Sequence, residues 1–206
     1  MGADPNQLSW LTPRRSGEKR VVFFDLETLR SADEVGGWSN IHKMGCAVAV
    51  CYDTLDQQYY VYEESDINFL IEKLLTADLV VGFNHMRFDY RVLQAYTQIK
   101  LYQLPNFDIL EDVTKVLGHR LSLNALASIT LKKKKSADGL QSLAWIKEGR
   151  LDLVKEYCQM DVEVTRDLFM FGASKGYVLY EKDQKQQPIY VSWALPHIFD
   201  ELDRGK

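Results

Sequence analysis

The run VVFF at residues 21–24 has no polar position. A strand that is apolar at every residue has no face to give to water, so it belongs inside a sheet covered on both sides. A second such run, LVVGF at 79–83, makes the same demand. With helical patterns between and after these runs, the chain points to an α/β sheet flanked by helices on both faces. The first run then ends in Asp25-Leu26-Glu27. Residues two apart on a strand project to the same side. Two carboxylates so placed repel each other unless a cation or a proton lies between them.

The rest of the chain fills in around these strands. Residues 1–20 are polar, carry Pro5 and Pro13 and cluster Arg14, Arg15, Lys19 and Arg20; they are expected to form a flexible basic arm. The main domain is expected over 21–176. Strand-like Met44 to Tyr52 and Tyr59 to Tyr62 flank the turn-rich DTLDQQ and, with the first strand, predict an antiparallel meander. Helical spacing follows over 65–78, with Ser65 as the expected N-cap. After the LVVGF strand, a helix is expected from Phe88 through Tyr96, a short strand near Asn106 to Ile109, and helices over about 109–117 and 122–131. A break at Lys132 to Lys135 precedes a long helix from Leu151 towards Phe171, ending near Gly172 or Gly176. The sum is a mixed five-stranded sheet, three antiparallel strands and then parallel ones. Residues 177–206 read as an extension of the same domain, with YVLYE and PIYVSWAL forming a hairpin added to the main sheet.

Composition narrows the classes. At 206 residues and 46% hydrophobic, the chain can bury a full core as one domain. Cys46, Cys51 and Cys158 are odd in number and include no C-x-x-C. That excludes a disulfide framework or a zinc ribbon and fits a reduced, cytoplasmic setting. No segment approaches the roughly 18 apolar residues of a membrane span, so no membrane partner is expected. The net charge of −4 disfavours a polycation-style binder. It leaves nucleic acid open, because carboxylates that hold divalent metal add to that deficit.

Acids recur at three places. Asp25 and Glu27 close the first strand, but D-x-E alone is weak; Asp161-Val-Glu163 is a second instance, on an expected helix. In GFNHMRFDY, Asp89 falls in the first turn of a helix, where the dipole favours it anyway, and Asn84 is equally a simple cap. Its place after a central strand is nevertheless where α/β sheets build sites. In EYCQMDVEVTRDLF, Tyr157 and Asp161 lie four apart on one helix face that turns partly inward. There they form either a satisfied hydroxyl–carboxylate pair or part of a metal site.

Taken in order, these motifs resemble those of the DEDD superfamily of 3′-to-5′ exonucleases, whose domains have the ribonuclease H-like fold. The resemblance spans Val21 to Phe169 and rests on Asp25 and Glu27, on Asn84, Phe88 and Asp89, and on Tyr157 and Asp161. The segments Phe107-Asp108-Ile109 and Leu121-Ser122-Leu123 are similar to the stretch before the third motif. A tyrosine four residues before the last Asp marks the Tyr subclass; the position five before it, where the other subclass has His, is Glu156.

The resemblance implies Asp25, Glu27, Asp89 and Asp161 as ligands of two divalent ions, Mg2+ or Mn2+, with Tyr157 orienting a water. It implies single-stranded nucleic acid with a free 3′ end as substrate, contacted by Asn84 and Phe88, and a helicase or similar nucleic-acid-processing partner. Trp38 after the Gly pair is a candidate for stacking on a base, and Arg30, Arg87, Lys132 and Lys133 for phosphate contacts. Trp38 and Phe88 as core packing, and the lysines as a solvated run, are the structural alternatives. A nuclease-fold module without catalysis and a ribonuclease H-like endonuclease, which the Tyr157-x-x-x-Asp161 helix disfavours, are the alternatives for the whole chain.

Overall fold

The strand β1 (Val21–Thr28) lies in the middle of a five-stranded sheet in a computed structural model that describes residues 17–133 and 139–204. Sheet order is β3-β2-β1-β4-β5, with β2 at Cys46–Asp53, β3 at Gln58–Glu63, β4 at Leu79–Gly82 and β5 at Asn106–Asp108. β1 pairs antiparallel with β2, and β2 with β3, while β4 is parallel to β1 and β5 to β4. This arrangement is that of a ribonuclease H-like fold.

The two apolar runs are buried on both faces, as their composition requires. On one face, Val22, Phe24 and Leu26 pack under α1 (Ile67–Leu75) and α2 (Asp89–Leu93). On the other, Val21 and Phe23 pack under α3 (Ile109–Leu117), α4 (Leu123–Thr130) and the 25-residue α6 (Leu151–Lys175). Gly176 ends α6 in the left-handed conformation (φ 74°), its N–H closing on the Gly172 carbonyl at 2.8 Å.

Several boundaries differ from the sequence reading. Ser65 is not an N-cap: a 3-10 turn at Glu64–Asp66 leads into α1, which ends at Leu75. α2 is a helix of only five residues rather than reaching Tyr96: after Gln94 the backbone bonds tighten, Ala95 N–H to the Val92 carbonyl and Tyr96 N–H to the Leu93 carbonyl. Among the described residues, the α-helices α5 (Gly139–Lys147) and α7 (Leu195–Arg204) were not foreseen. The hairpin β6 (Tyr177–Lys182) and β7 (Lys185–Tyr190) is a separate two-stranded sheet instead of an addition to the main one. Its Val178 and Ile189 join the core beside α6, together with Trp193 and Ile198. Gly172 makes this possible: a Cβ there would sit 2.2 Å from the Trp193 ring.

Most of the expected N-terminal arm, and Lys134 and Lys135, lie outside the described residues. Arg20, placed in that arm by the sequence reading, is 2% exposed. Its Nε lies 3.3 Å from Asp53, whose same oxygen accepts from Lys73 Nζ at 2.6 Å. Buried charge is tolerable there because opposite charges meet. Among the described residues no helix is long and apolar enough to cross a membrane.

Candidate metal centre and cleft

The site forms where β4 stops short. β1 pairs with β4 only as far as Phe23, opposite Val81, so Asp25 to Thr28 run on without a neighbour on that side. The exposed backbone needs partners. Leu26 N–H finds one in Asp89 Oδ1, 3.2 Å away at the start of α2. Strand alternation turns Asp25 and Glu27 to the α6 face, opposite Phe24 and Leu26. The pairing with β2 slips between Glu27 and Thr28.

From the facing helix, Asp161 completes a group: Asp25, Glu27 and Asp161 each offer an oxygen within 4.8 Å of the others. Asp89 stands outside that group but lines the same cleft, which has a volume of about 690 Å³. Tyr157 stands one turn before Asp161 and donates its hydroxyl to that carboxylate, the ring mostly covered and edge-on to Trp145 at 6.3 Å.

Burial and mutual repulsion show in the protonation equilibria. Burial drives all four carboxyls upward: Asp161 to about 6, Glu27 to about 7, Asp89 to about 8, and Asp25 well above the usual range, with Asp89, Asp161 and Glu27 adding repulsion at Asp25. Burial, and then the Asp161 charge, likewise raise the Tyr157 phenol above its ordinary value.

The hydrogen bonds that partly offset this all come from neutral groups. Ser142 Oγ donates to Glu27 at 2.5 Å, Cys158 Sγ lies 3.8 Å from Asp25 Oδ2, Tyr157 serves Asp161, and the Leu26 amide serves Asp89. Among the described residues no lysine, arginine or histidine neutralises any of the four. An all-oxygen carboxylate set without a protein cation suits a hard divalent ion.

The loop after β4 is shaped by Asp108, which the sequence reading noted only as part of a segment. Asp108 caps α3 through Glu111 N–H (3.2 Å) and also accepts from the Asn84 and Met86 amides at 2.9 and 3.1 Å. Asn84 is thereby held at φ 68°, a left-handed conformation that Asn tolerates. Its side chain accepts from Arg120 Nη2 at 2.7 Å. Asn84, Phe88 and Trp38 line the cleft. Trp38 is 67% exposed and tilted against Phe88, ring centroids 6.3 Å apart.

The basic candidates sit elsewhere. Arg30 and Arg87 are exposed and do not line the cleft; Arg30 Nε is bonded to the Lys43 carbonyl. Lys132 follows α4 with φ 56°. Lys133 is engaged by Glu163 at 2.9 Å and Asp167 at 2.7 Å, on the side of α6 away from Asp161. Ser142, Arg120 and Cys158 were not foreseen as site neighbours. For Ser142 and Arg120 no motif marks them, since each depends on how a separate helix or loop docks.

Fold and site together define a ribonuclease H-like α/β domain with an acidic, oxygen-lined cleft at the end of its central strand. No family model and no curated protein matches the sequence. Among solved structures, the chain is similar to the family B DNA polymerase from the hyperthermophilic archaeon Pyrobaculum calidifontis, with a TM-score of 0.55 at 18% identity. The match covers 77% of this chain and 26% of the polymerase chain, so this chain spans about a quarter of that protein. At that identity the likeness is one of fold.

Proposed function

We propose that the protein is a metal-dependent 3′-to-5′ exonuclease of the DEDD type, Tyr subclass, acting on single-stranded nucleic acid. One observation carries this reading: four carboxylates, Asp89 buried and Asp25, Glu27 and Asp161 partly so, lie about one cleft, supplied only with neutral donors. A fold gains nothing from such repulsion, whereas divalent cations remove it. Asp25, Glu27 and Asp161, with Asp89, would hold two such ions, Mg2+ or Mn2+. When bound, they supply charge stabilisation to the attacking and leaving oxygens of an in-line phosphoryl displacement.

The chain's own residues do the rest. With its phenol raised, Tyr157 keeps its proton at neutral pH and serves as a donor that orients, not as a base. Trp38 and Phe88 offer aromatic surface to a terminal base, the backbone around Asn84 is fixed by Asp108, and Arg120 braces its side chain. The structural likeness to a DNA polymerase is in keeping with a polynucleotide substrate.

Labelled DNA and RNA oligonucleotides with either end blocked, incubated with Mg2+ or Mn2+, test the proposal. Laddering from a free 3′ end is expected, abolished in Asp25→Ala and slowed less in Tyr157→Phe. Internal cuts, retardation without cleavage, or full activity in Asp25→Ala would each overturn it.

A further inference from the structure

Helix α5 closes one side of the acidic cleft, and no motif led to it. Leu143 lines the cleft, Trp145 meets the Tyr157 ring edge-on, and Lys147 Nζ reaches Glu34 at 3.0 Å in the loop after β1. Ser142, fully buried between these contacts, places its hydroxyl 2.5 Å from Glu27 Oε2.

Glu27 needs such a support more than its neighbours do. It stands where the β1–β2 register slips and β4 has already ended, and it has one more rotatable bond than an aspartate. A lysine or arginine would hold the carboxylate as firmly, but its charge would compete with a divalent cation for the same oxygens. A hydroxyl donates without charge and uses one lone pair, leaving the others for a metal.

We propose that Ser142 is a positioning residue for the metal centre: it fixes the Glu27 carboxylate in the orientation that a divalent cation takes up. This rests on the nuclease reading of the site, and its test keeps the two apart. Mn2+ is titrated into the full chain and followed by the electron paramagnetic resonance signal of free and bound Mn2+, so that no turnover is needed. Ser142→Ala is expected to weaken Mn2+ binding about 10- to 100-fold, the loss of one hydrogen bond to a charged group. Ser142→Thr, which restores the hydroxyl, is expected to recover most of it. Lys147→Ala, which removes the tie from α5 to Glu34 without touching any of the four cleft carboxylates, is expected to bind within a few-fold of wild type. Equal affinity in Ser142→Ala, a Thr variant as weak as Ala, or an equal loss in Lys147→Ala would overturn the assignment alone. A wild-type chain that leaves the free Mn2+ signal unchanged would overturn the nuclease reading and this assignment with it.

Discussion

Replacing Glu27 by Gln should make the metal-free protein more stable at alkaline pH and nearly indifferent to metal. In the native state the carboxyl is raised from its ordinary 4.5 to about 7, chiefly by burial. The native protein therefore binds more protons than the unfolded chain between those values. Stability must fall as pH rises through that window and level off above about 7; below about 4.5 both states are protonated and the contribution vanishes. At about 1.4 kcal/mol for each tenfold change in proton affinity, the full penalty is roughly 3 kcal/mol. That is an upper bound, because Asp161 shares the repulsion. The amide removes the penalty and can still accept from Ser142. For a domain of this size the gain corresponds to a Tm about 5–10 °C higher at pH 8.5, with little change at pH 4.5. Thermal unfolding followed by circular dichroism, in a chelator and then in Mn2+, reads both effects. Wild type should gain about 3 kcal/mol at Mn2+ a hundredfold above its Kd, and the variant much less. A variant no more stable than wild type at pH 8.5, or stabilised equally by Mn2+, would refute the electrostatic account.

Two further outcomes follow from the geometry. Trp38→Ala should raise KM for a short single strand by roughly 5- to 100-fold, the worth of one base–aromatic stack, with kcat nearly unchanged; steady-state kinetics showing a fall in kcat alone would contradict a stacking role. Gly172→Ala drives a methyl into the Trp193 ring and, with Trp193 also bonded to Asp112 at 2.6 Å, leaves the ring little room to move. A loss of about 1–3 kcal/mol is expected in urea unfolding, and an unchanged midpoint would show that the C-terminal segment is not anchored there.

How much of this was legible in the sequence depends on the range of each interaction. The fully apolar runs at 21–24 of β1 and in β4 announced a sheet covered on both sides, and strand alternation put Asp25 and Glu27 on one face. The four-residue spacing of Tyr157 and Asp161 put both on one face of α6, while Glu163, two residues on, turns away to Lys133. Local pattern could not reveal that Lys133 spends its charge on α6, that Arg20 is buried against Asp53, or that Asp108 braces the Asn84 loop, because each partner is distant in sequence. α5 was missed because its nine residues are short and only weakly amphipathic; its Ser142 matters to the site through a contact 115 positions away. The hairpin was read correctly as two strands but not in its place, since what seats it is Val178, Ile189 and Trp193 packing on α6 rather than a free sheet edge.

The central claim is that Asp25, Glu27 and Asp161 converge to receive a divalent cation. Diffraction from crystals grown in millimolar Mn2+, recorded at the manganese absorption edge, tests it most directly. An anomalous peak within coordination distance of oxygens from all three carboxylates is the predicted result. Manganese bound only elsewhere, or three carboxylates resolved with no peak between them, would contradict it.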